Sequence, residues 1–98
     1  MIGVFVSFQY AGDFDRARVE KVAVEAGPMF EGMPGLRSKV FTVDPIARRA
    51  TNVYVWNSEE AARGFFTDAL RERVTGLYGV SPEITFVDVV GLVDNANR

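Results

Sequence analysis

Asn52, Tyr54 and Trp56 occupy alternate positions of the stretch Ala50-Thr51-Asn52-Val53-Tyr54-Val55-Trp56. Successive side chains of an extended strand point to opposite faces, so this spacing gathers an amide, a phenol and an indole on one face. Such a set suits a flat aromatic ligand with polar edges. Trp supplies a stacking surface and one N–H, and the Asn amide can steady an enolate or phenolate oxygen as charge develops. The competing reading is a buried Trp beside a surface Asn near a turn. A second candidate is Asp88, centred in Ile84-Thr85-Phe86-Val87-Asp88-Val89-Val90 and sharing a face with Ile84, Phe86 and Val90. A carboxylate buried there is either a general base with a raised pKa or one half of an ion pair with Arg37, Lys39 or another basic group. Lys39 can offset an anionic substrate, or snorkel as an exposed strand lysine. Phe30, Phe65 and Phe66 lie on helix faces that turn toward the sheet, as pocket lining or as core. Of the adjacent pair, only one is expected to point fully inward.

What is missing narrows the chemistry. The chain has no histidine and no cysteine. Thiolate nucleophiles, Cys-ligated metals, a Ser-His-Asp triad and a proximal-His haem are therefore excluded. No glycine-rich phosphate-binding spacing occurs, so no nucleotide cofactor is expected, and no metal. Eleven basic against thirteen acidic side chains give a charge of −2, without the excess of positive charge that phosphate backbones require. Nucleic acid is not an expected partner. The apolar run at the N-terminus stops at Gln9, too short for a membrane span and lacking a basic flank. A cytoplasmic protein is expected.

The elements that must position these residues follow from periodicity. At 98 residues the chain has room for one domain, over 1–94, with 95–98 as a polar tail that frays. Its 48% hydrophobic and 24% charged residues are the composition of a folded globular chain. Residues 2–9 alternate as a strand. Asp13 is a candidate N-cap for a helix over 14–31 carrying Val19, Val22, Ala23, Ala26 and Phe30 inward, ended by Gly32 and by Pro34-Gly35 beyond it. Strands over 36–43 and 50–56 flank a hairpin loop at 44–49. Ser58 caps a second helix over 59–75, with Gly64 as a candidate break, and a last strand runs over 83–93. The order β-α-β-β-α-β is the ferredoxin-like split βαβ plan of the α+β class, a four-stranded antiparallel sheet with both helices on one face.

Two helices cover one face of such a sheet, yet both faces carry apolar side chains. Ile2, Val4, Val6 and Phe8 oppose Phe5, and Ile84, Phe86 and Val90 oppose Val87, Val89 and Val93. Leaving several of these wet forgoes about 1.5–3 kcal/mol each. The expected cover is a second copy, sheet against sheet, in a two-fold homodimer.

The stretch Met33-Pro34-Gly35-Leu36-Arg37-Ser38-Lys39-Val40-Phe41-Thr42, followed by Val53-Tyr54-Val55-Trp56-Asn57-Ser58-Glu59-Glu60-Ala61-Ala62, resembles the YdhR-type monooxygenases of the dimeric α+β barrel superfamily. The resemblance spans essentially the whole chain and rests on structural motifs. It implies a dimeric α+β barrel with a pocket between each sheet and its own helices. It also implies oxidation of an electron-rich aromatic or quinone-forming small molecule by O₂ without metal, flavin or haem. In the anthrone-oxidising branch an Asn and a Trp four residues apart on the third strand are implicated in catalysis, a spacing matched by Asn52 and Trp56. Tyr54, Lys39, Phe30, Phe65 and Phe66 would then contact substrate, and Asp88 would remove a proton. Haem-degrading relatives need a helix histidine that this chain lacks. Two rivals keep the same pocket: a non-catalytic binding or sensing dimer, and an isomerase or lyase using a carboxylate as proton shuttle.

Overall fold

In a computed structural model that describes residues 1–97, four strands form one antiparallel sheet in the order β2-β3-β1-β4. The strands are β1 (Ile2–Gln9), β2 (Leu36–Asp44), β3 (Arg49–Trp56) and β4 (Glu83–Asp88). The helices are α1 (Arg16–Phe30), α2 (Glu59–Phe65) and α3 (Asp68–Tyr78), and a short 3₁₀ turn covers Asn95–Asn97. This is the ferredoxin-like α+β plan expected from the periodicity. Of the tail expected over 95–98, Arg98 lies outside the described residues.

The covered face of the sheet is set by alternation. Ile2, Val4, Val6 and Phe8 of β1 are buried, as are Ala50, Asn52, Tyr54 and Trp56 of β3. Register ties these rows together, with Val6 opposite Asn52, Val4 opposite Tyr54 and Ile2 opposite Trp56. On the other side of β3, Phe41 faces Asn52 and Lys39 faces Tyr54. A register shift between Leu36 and Ser38 leaves Arg37 as the extra residue. Leu36 and Lys39 therefore both come opposite covered-face residues, Trp56 and Tyr54, although they are an odd number of positions apart.

Helix boundaries differ from expectation in ways that capping explains. Asp15, rather than Asp13, is the N-cap of α1 and accepts a bond from the Arg18 amide. The second helix is two helices. The break falls at Phe66 and Thr67, because the Thr67 side chain caps α3 by accepting from the Leu70 amide at 3.2 Å while Phe66 leaves helical geometry. Phe65 and Phe66 therefore both turn toward the sheet, Phe65 from the last turn of α2 and Phe66 from the bend, each within 6 Å of the Tyr54 ring centre. The expectation that only one could point inward assumed a continuous helix.

β4 ends at Asp88 instead of reaching residue 93. It pairs only with β1, whose first residue, Ile2, faces Asp88. One further bond joins the Val89 amide to the Met1 carbonyl. Beyond it there is no neighbouring strand to extend, and Val90 and Val93 stand in solvent. Among the described residues no helix is long and apolar enough to cross a membrane.

The uncovered face is mixed. Phe5, Val40 and Val87 are exposed there, with Val53 and Val55 between them, while Ser7, Thr42 and Thr51 give the other end hydroxyl groups.

Gly35 joins the turn after α1 to β2 at φ 81°, and a Cβ on it would come within 2.8 Å of the Ala61 Cβ. Left-handed backbone costs a non-glycine residue roughly 1–2 kcal/mol, and overpacking about 1–3 kcal/mol. Gly35→Ala is expected to lower the unfolding free energy by at least about 2 kcal/mol in urea titration.

Candidate active site

The space between the sheet and the helices holds a small interior cavity of about 50 Å³. Its floor is Asn52 and Tyr54 of β3 with Lys39 and Phe41 of β2; Phe30 of α1, Phe65 of α2 and Tyr78 of α3 close over it. A second cavity of about 60 Å³ adjoins it, and Phe41, Asn52 and Tyr78 line both. Toward solvent the interior cavity meets a cleft of about 240 Å³ between α1 and α3. Val22, Ala26, Met29, Arg73 and Leu77 line both spaces, so the cleft is the mouth of the cavity. A wider surface groove of about 550 Å³ runs between the end of α1 and the edge strand β2, and Phe30, Lys39 and Phe41 form the wall between groove and cavity.

Asn52 is the buried polar residue of the covered face, only 5% exposed. Its Nδ2 donates to the Tyr78 Oη at 3.1 Å, which satisfies part of an amide that would otherwise be costly to bury. Tyr78 is fixed in turn by stacking on Phe8 at 3.8 Å between ring centres and an interplanar angle of 5°. Tyr10 donates to the Tyr78 carbonyl at 2.7 Å. Burial raises the Tyr78 hydroxyl pKa above its ordinary value, opposed in part by the bond from Asn52. Burial likewise raises the pKa of Tyr54, helped by the neighbouring Tyr78. Both phenols remain protonated at neutral pH and can donate.

Lys39 faces the helices and does not snorkel freely into water. Its Nζ lies 3.4 Å from the Phe30 ring centre, 4.2 Å from Phe41 and 4.4 Å from Tyr54. Among the described residues no carboxylate pairs with it. Ring faces attract the ammonium form, but burial disfavours it and pulls the pKa from 10.5 down to about 7.

Trp56 is on the expected face yet is not a wall of the cavity. It is 1% exposed, and Tyr54 lies parallel to it at 6.0 Å, while Phe65 sits 5.2 Å away and Phe66 6.0 Å. Its Nε1–H is buried without a partner. Protein rings crowd the indole, and none of the cavities above reaches it, so the structure does not bring Trp56 to the cavity with Asn52 and Tyr54. The expected burial of Asp88 is corrected. Because β4 stops there, its carboxylate is exposed at the far edge of the sheet and is not buried beside Phe86. Among the described residues it forms no ion pair with Arg37 or Lys39. Of the expected set, Asn52, Tyr54, Lys39, Phe30 and Phe65 share the cavity, and Phe66 packs behind it against Tyr54 and Phe86.

Tyr78 was missed because it falls beyond the helix expected over 59–75, and nothing in the spacing marked Arg73, which lies within that helix. The signal was present: Tyr78 falls four residues after Val74, continuing the inward stripe of α3.

No protein-family model and no curated protein matches this chain. Solved structures do. The chain is similar to a monooxygenase from the gene ActVA-Orf6 of Streptomyces coelicolor, in complex with nanaomycin D, at 23% identity and a TM-score of 0.69, covering 94% of this chain and 89% of that one. It is similar to a Bordetella bronchiseptica protein assigned as an antibiotic biosynthesis monooxygenase, at 20% identity and a TM-score of 0.69, covering 91% and 96%. It is also similar to an asparagine-to-alanine variant of SnoaB, a cofactor-independent oxygenase from Streptomyces nogalater, at 17% identity and a TM-score of 0.66, covering 94% and 95%. The chain has the fold of the antibiotic biosynthesis monooxygenases.

Proposed function

We propose that this protein is a cofactor-independent monooxygenase that oxidises a small aromatic or quinone-forming molecule with O₂. The observation that carries the reading is the Asn52 amide, buried at the floor of an aromatic-walled cavity and bonded to Tyr78. Similar folds in proteins named as monooxygenases, one of them as a cofactor-independent oxygenase, support it. So does a sequence without histidine or cysteine, whose chemistry must come from amide, phenol, amine and carboxylate groups. A resemblance to the YdhR-type proteins and a cytoplasmic location belong to the same proposal.

The substrate itself supplies the electrons. Loss of a proton from an activated C–H or O–H leaves an electron-rich anion whose ring carbon bonds O₂; the hydroperoxide so formed loses the remaining hydrogen of that carbon as its O–O bond breaks, so one oxygen stays as a carbonyl and the other leaves as water. Asn52 holds the developing oxyanion, with the Tyr54 and Tyr78 hydroxyls as further donors, and the rate enhancement comes from positioning and fixed dipoles. The interior cavity of about 50 Å³ has to open toward the 240 Å³ cleft between α1 and α3 to take a ring, with Phe30 and Phe65 then closing on it. Trp56 acts from behind, holding Tyr54 and Phe65 in place.

The assembly belongs to the proposal as well. Phe5, Val40, Val53, Val55 and Val87 form an apolar area on the uncovered face of the sheet, and a second copy packed sheet to sheet would bury it. Closing that face would also stiffen the strand that carries Asn52 and Tyr54.

Two measurements test these statements. Oxygen uptake with an anthrone or a hydroquinone is expected, and Asn52→Ala should lower kcat by about 10²–10³, the usual cost of one oxyanion donor. Asp88→Asn should leave kcat within a few-fold; turnover by the Asn52 variant at the parent rate would refute the assignment. Sedimentation equilibrium should give twice the chain mass, reverting to the monomer in Val55→Glu, and a concentration-independent monomer for the parent chain would remove the dimer.

A further inference from the structure

Lys39 has no obvious structural duty. Its half-buried amine sits among the rings of Phe30, Phe41 and Tyr54, and no carboxylate among the described residues holds it there. It lines both the interior cavity and the outer groove, so a ligand in the cavity meets its Nζ as well as the Asn52 amide. Resting on the proposed oxygenase reading, we propose that Lys39 is the proton acceptor of this site, and that its substrates are aromatic compounds carrying an acidic ring hydroxyl.

The step is a simple transfer. The neutral Nζ takes the hydroxyl proton, so an O–H bond breaks and an N–H bond forms, and the electron pair stays on the substrate oxygen. The ammonium so formed is held by the faces of Phe30, Phe41 and Tyr54. The new phenolate lies between that cation and the hydrogen-bond donors of Asn52, Tyr54 and Tyr78. The cavity thus provides an acceptor for the proton and donors for the anion, with an apolar enclosure that favours keeping the two charges together. No oxidant is consumed here.

Other charged and titratable groups face this region from each packed element. Tyr54 belongs to β3, Tyr78 and Arg73 to α3, Glu31 follows α1, and Arg37 precedes Lys39 on β2. The two phenols ionise only above their ordinary value. Arg73 and Arg37 are positively charged, Glu31 lies in the outer groove, Glu25 in the cleft between α1 and α3, and Glu20 beside the adjoining cavity; burial, not these charges, displaces the Lys39 titration. On α2, Arg63 is turned away onto Phe86 and bonded to Glu59. Burial sets Lys39 to titrate near pH 7, where an amine can both accept and return a proton.

The test uses 4-nitrophenol under anaerobic conditions, where ionisation is visible as the coloured phenolate and no turnover is needed. With the parent protein the bound probe should ionise at least one pH unit below the free probe. Lys39→Met should abolish that shift and weaken phenolate binding at least tenfold. Lys39→Arg, a fixed cation that cannot accept a proton, should still bind the phenolate but lose the fall in kcat/KM that protonation of Lys39 imposes on the parent below pH 7. A bound probe that keeps its solution ionisation, an equal shift in the methionine variant, or no binding at millimolar probe overturns the proposal. Absence of oxygen uptake with any substrate would instead overturn the oxygenase reading and leave this result standing.

A second readout needs no ligand. The folded-state pKa of Lys39 lies below its unfolded value, so the unfolded chain binds more protons between about pH 7 and 10.5 and the fold gains stability from this group as pH rises through that window. The melting temperature of the parent should therefore rise relative to Lys39→Met between pH 6 and pH 10. A difference that does not change over that range would show that the amine does not titrate there, and the proposal fails.

Discussion

A four-stranded sheet has two faces, and the helices of this chain cover one of them. Everything buried must therefore be buried on that side, within a single layer of side chains between β-strand and helix. Because β1 and β3 are the central strands, their inward rows carry most of the core: Ile2, Val4, Val6 and Phe8 on one, Ala50, Asn52, Tyr54 and Trp56 on the other. A polar group on those rows finds its partner inside the layer or goes without one, as the Trp56 Nε1–H does. Asn52 finds its partner by donating to Tyr78, and that one bond ties the centre of β3 to the end of α3.

The aromatic residues decide how the layer closes. Tyr54 touches Phe30 and Phe66 edge-to-face, Phe65 at a tilt and Trp56 in parallel, a cluster drawn from α1, α2, the bend and the sheet. A straight helix over 59–78 could not deliver both Phe65 and Phe66. Breaking it at Thr67 leaves the orphan amides of a new helix start to be satisfied, which the Thr67 hydroxyl does for one of them, and in exchange both rings enter the layer. The small cavities beside Asn52 sit where that packing meets the polar pair Asn52 and Tyr78.

How much of this was legible depended on whether the cause was local. Strand alternation and cap residues are written in neighbouring positions, so the element order and the grouping of Asn52, Tyr54 and Trp56 on one face follow directly from spacing, whereas which face of β3 the helices cover does not. The length of β4 does not, because it is set by the start of its partner at Ile2 rather than by the apolar run from Glu83 to Val93. Asp88 was misplaced for the same reason: its surroundings in sequence are apolar, but its surroundings in space end with β1. Trp56 is a different case. The period-two rule gives its face correctly, yet whether that part of the face meets a void or solid packing depends on where α2 bends, which no spacing on β3 records. Lys39 shows the converse. Its direction comes from a bulge at Arg37, and its altered chemistry from rings contributed by three different elements.

The two polar side chains at the cavity floor differ in what holds them. Asn52 is matched by a hydrogen bond, so its burial is close to neutral and could serve the fold alone. Lys39 is only half-buried and is matched by ring faces alone; burial disfavours its ammonium form more than the rings favour it, and its pKa falls to about 7. The imbalance is resolved by titration, since the amine can shed its proton where an arginine could not. A side chain kept in that condition inside an aromatic layer is a chemical resource set beside a cavity, and the same geometry that denies it a counter-ion leaves room for one to arrive with a ligand.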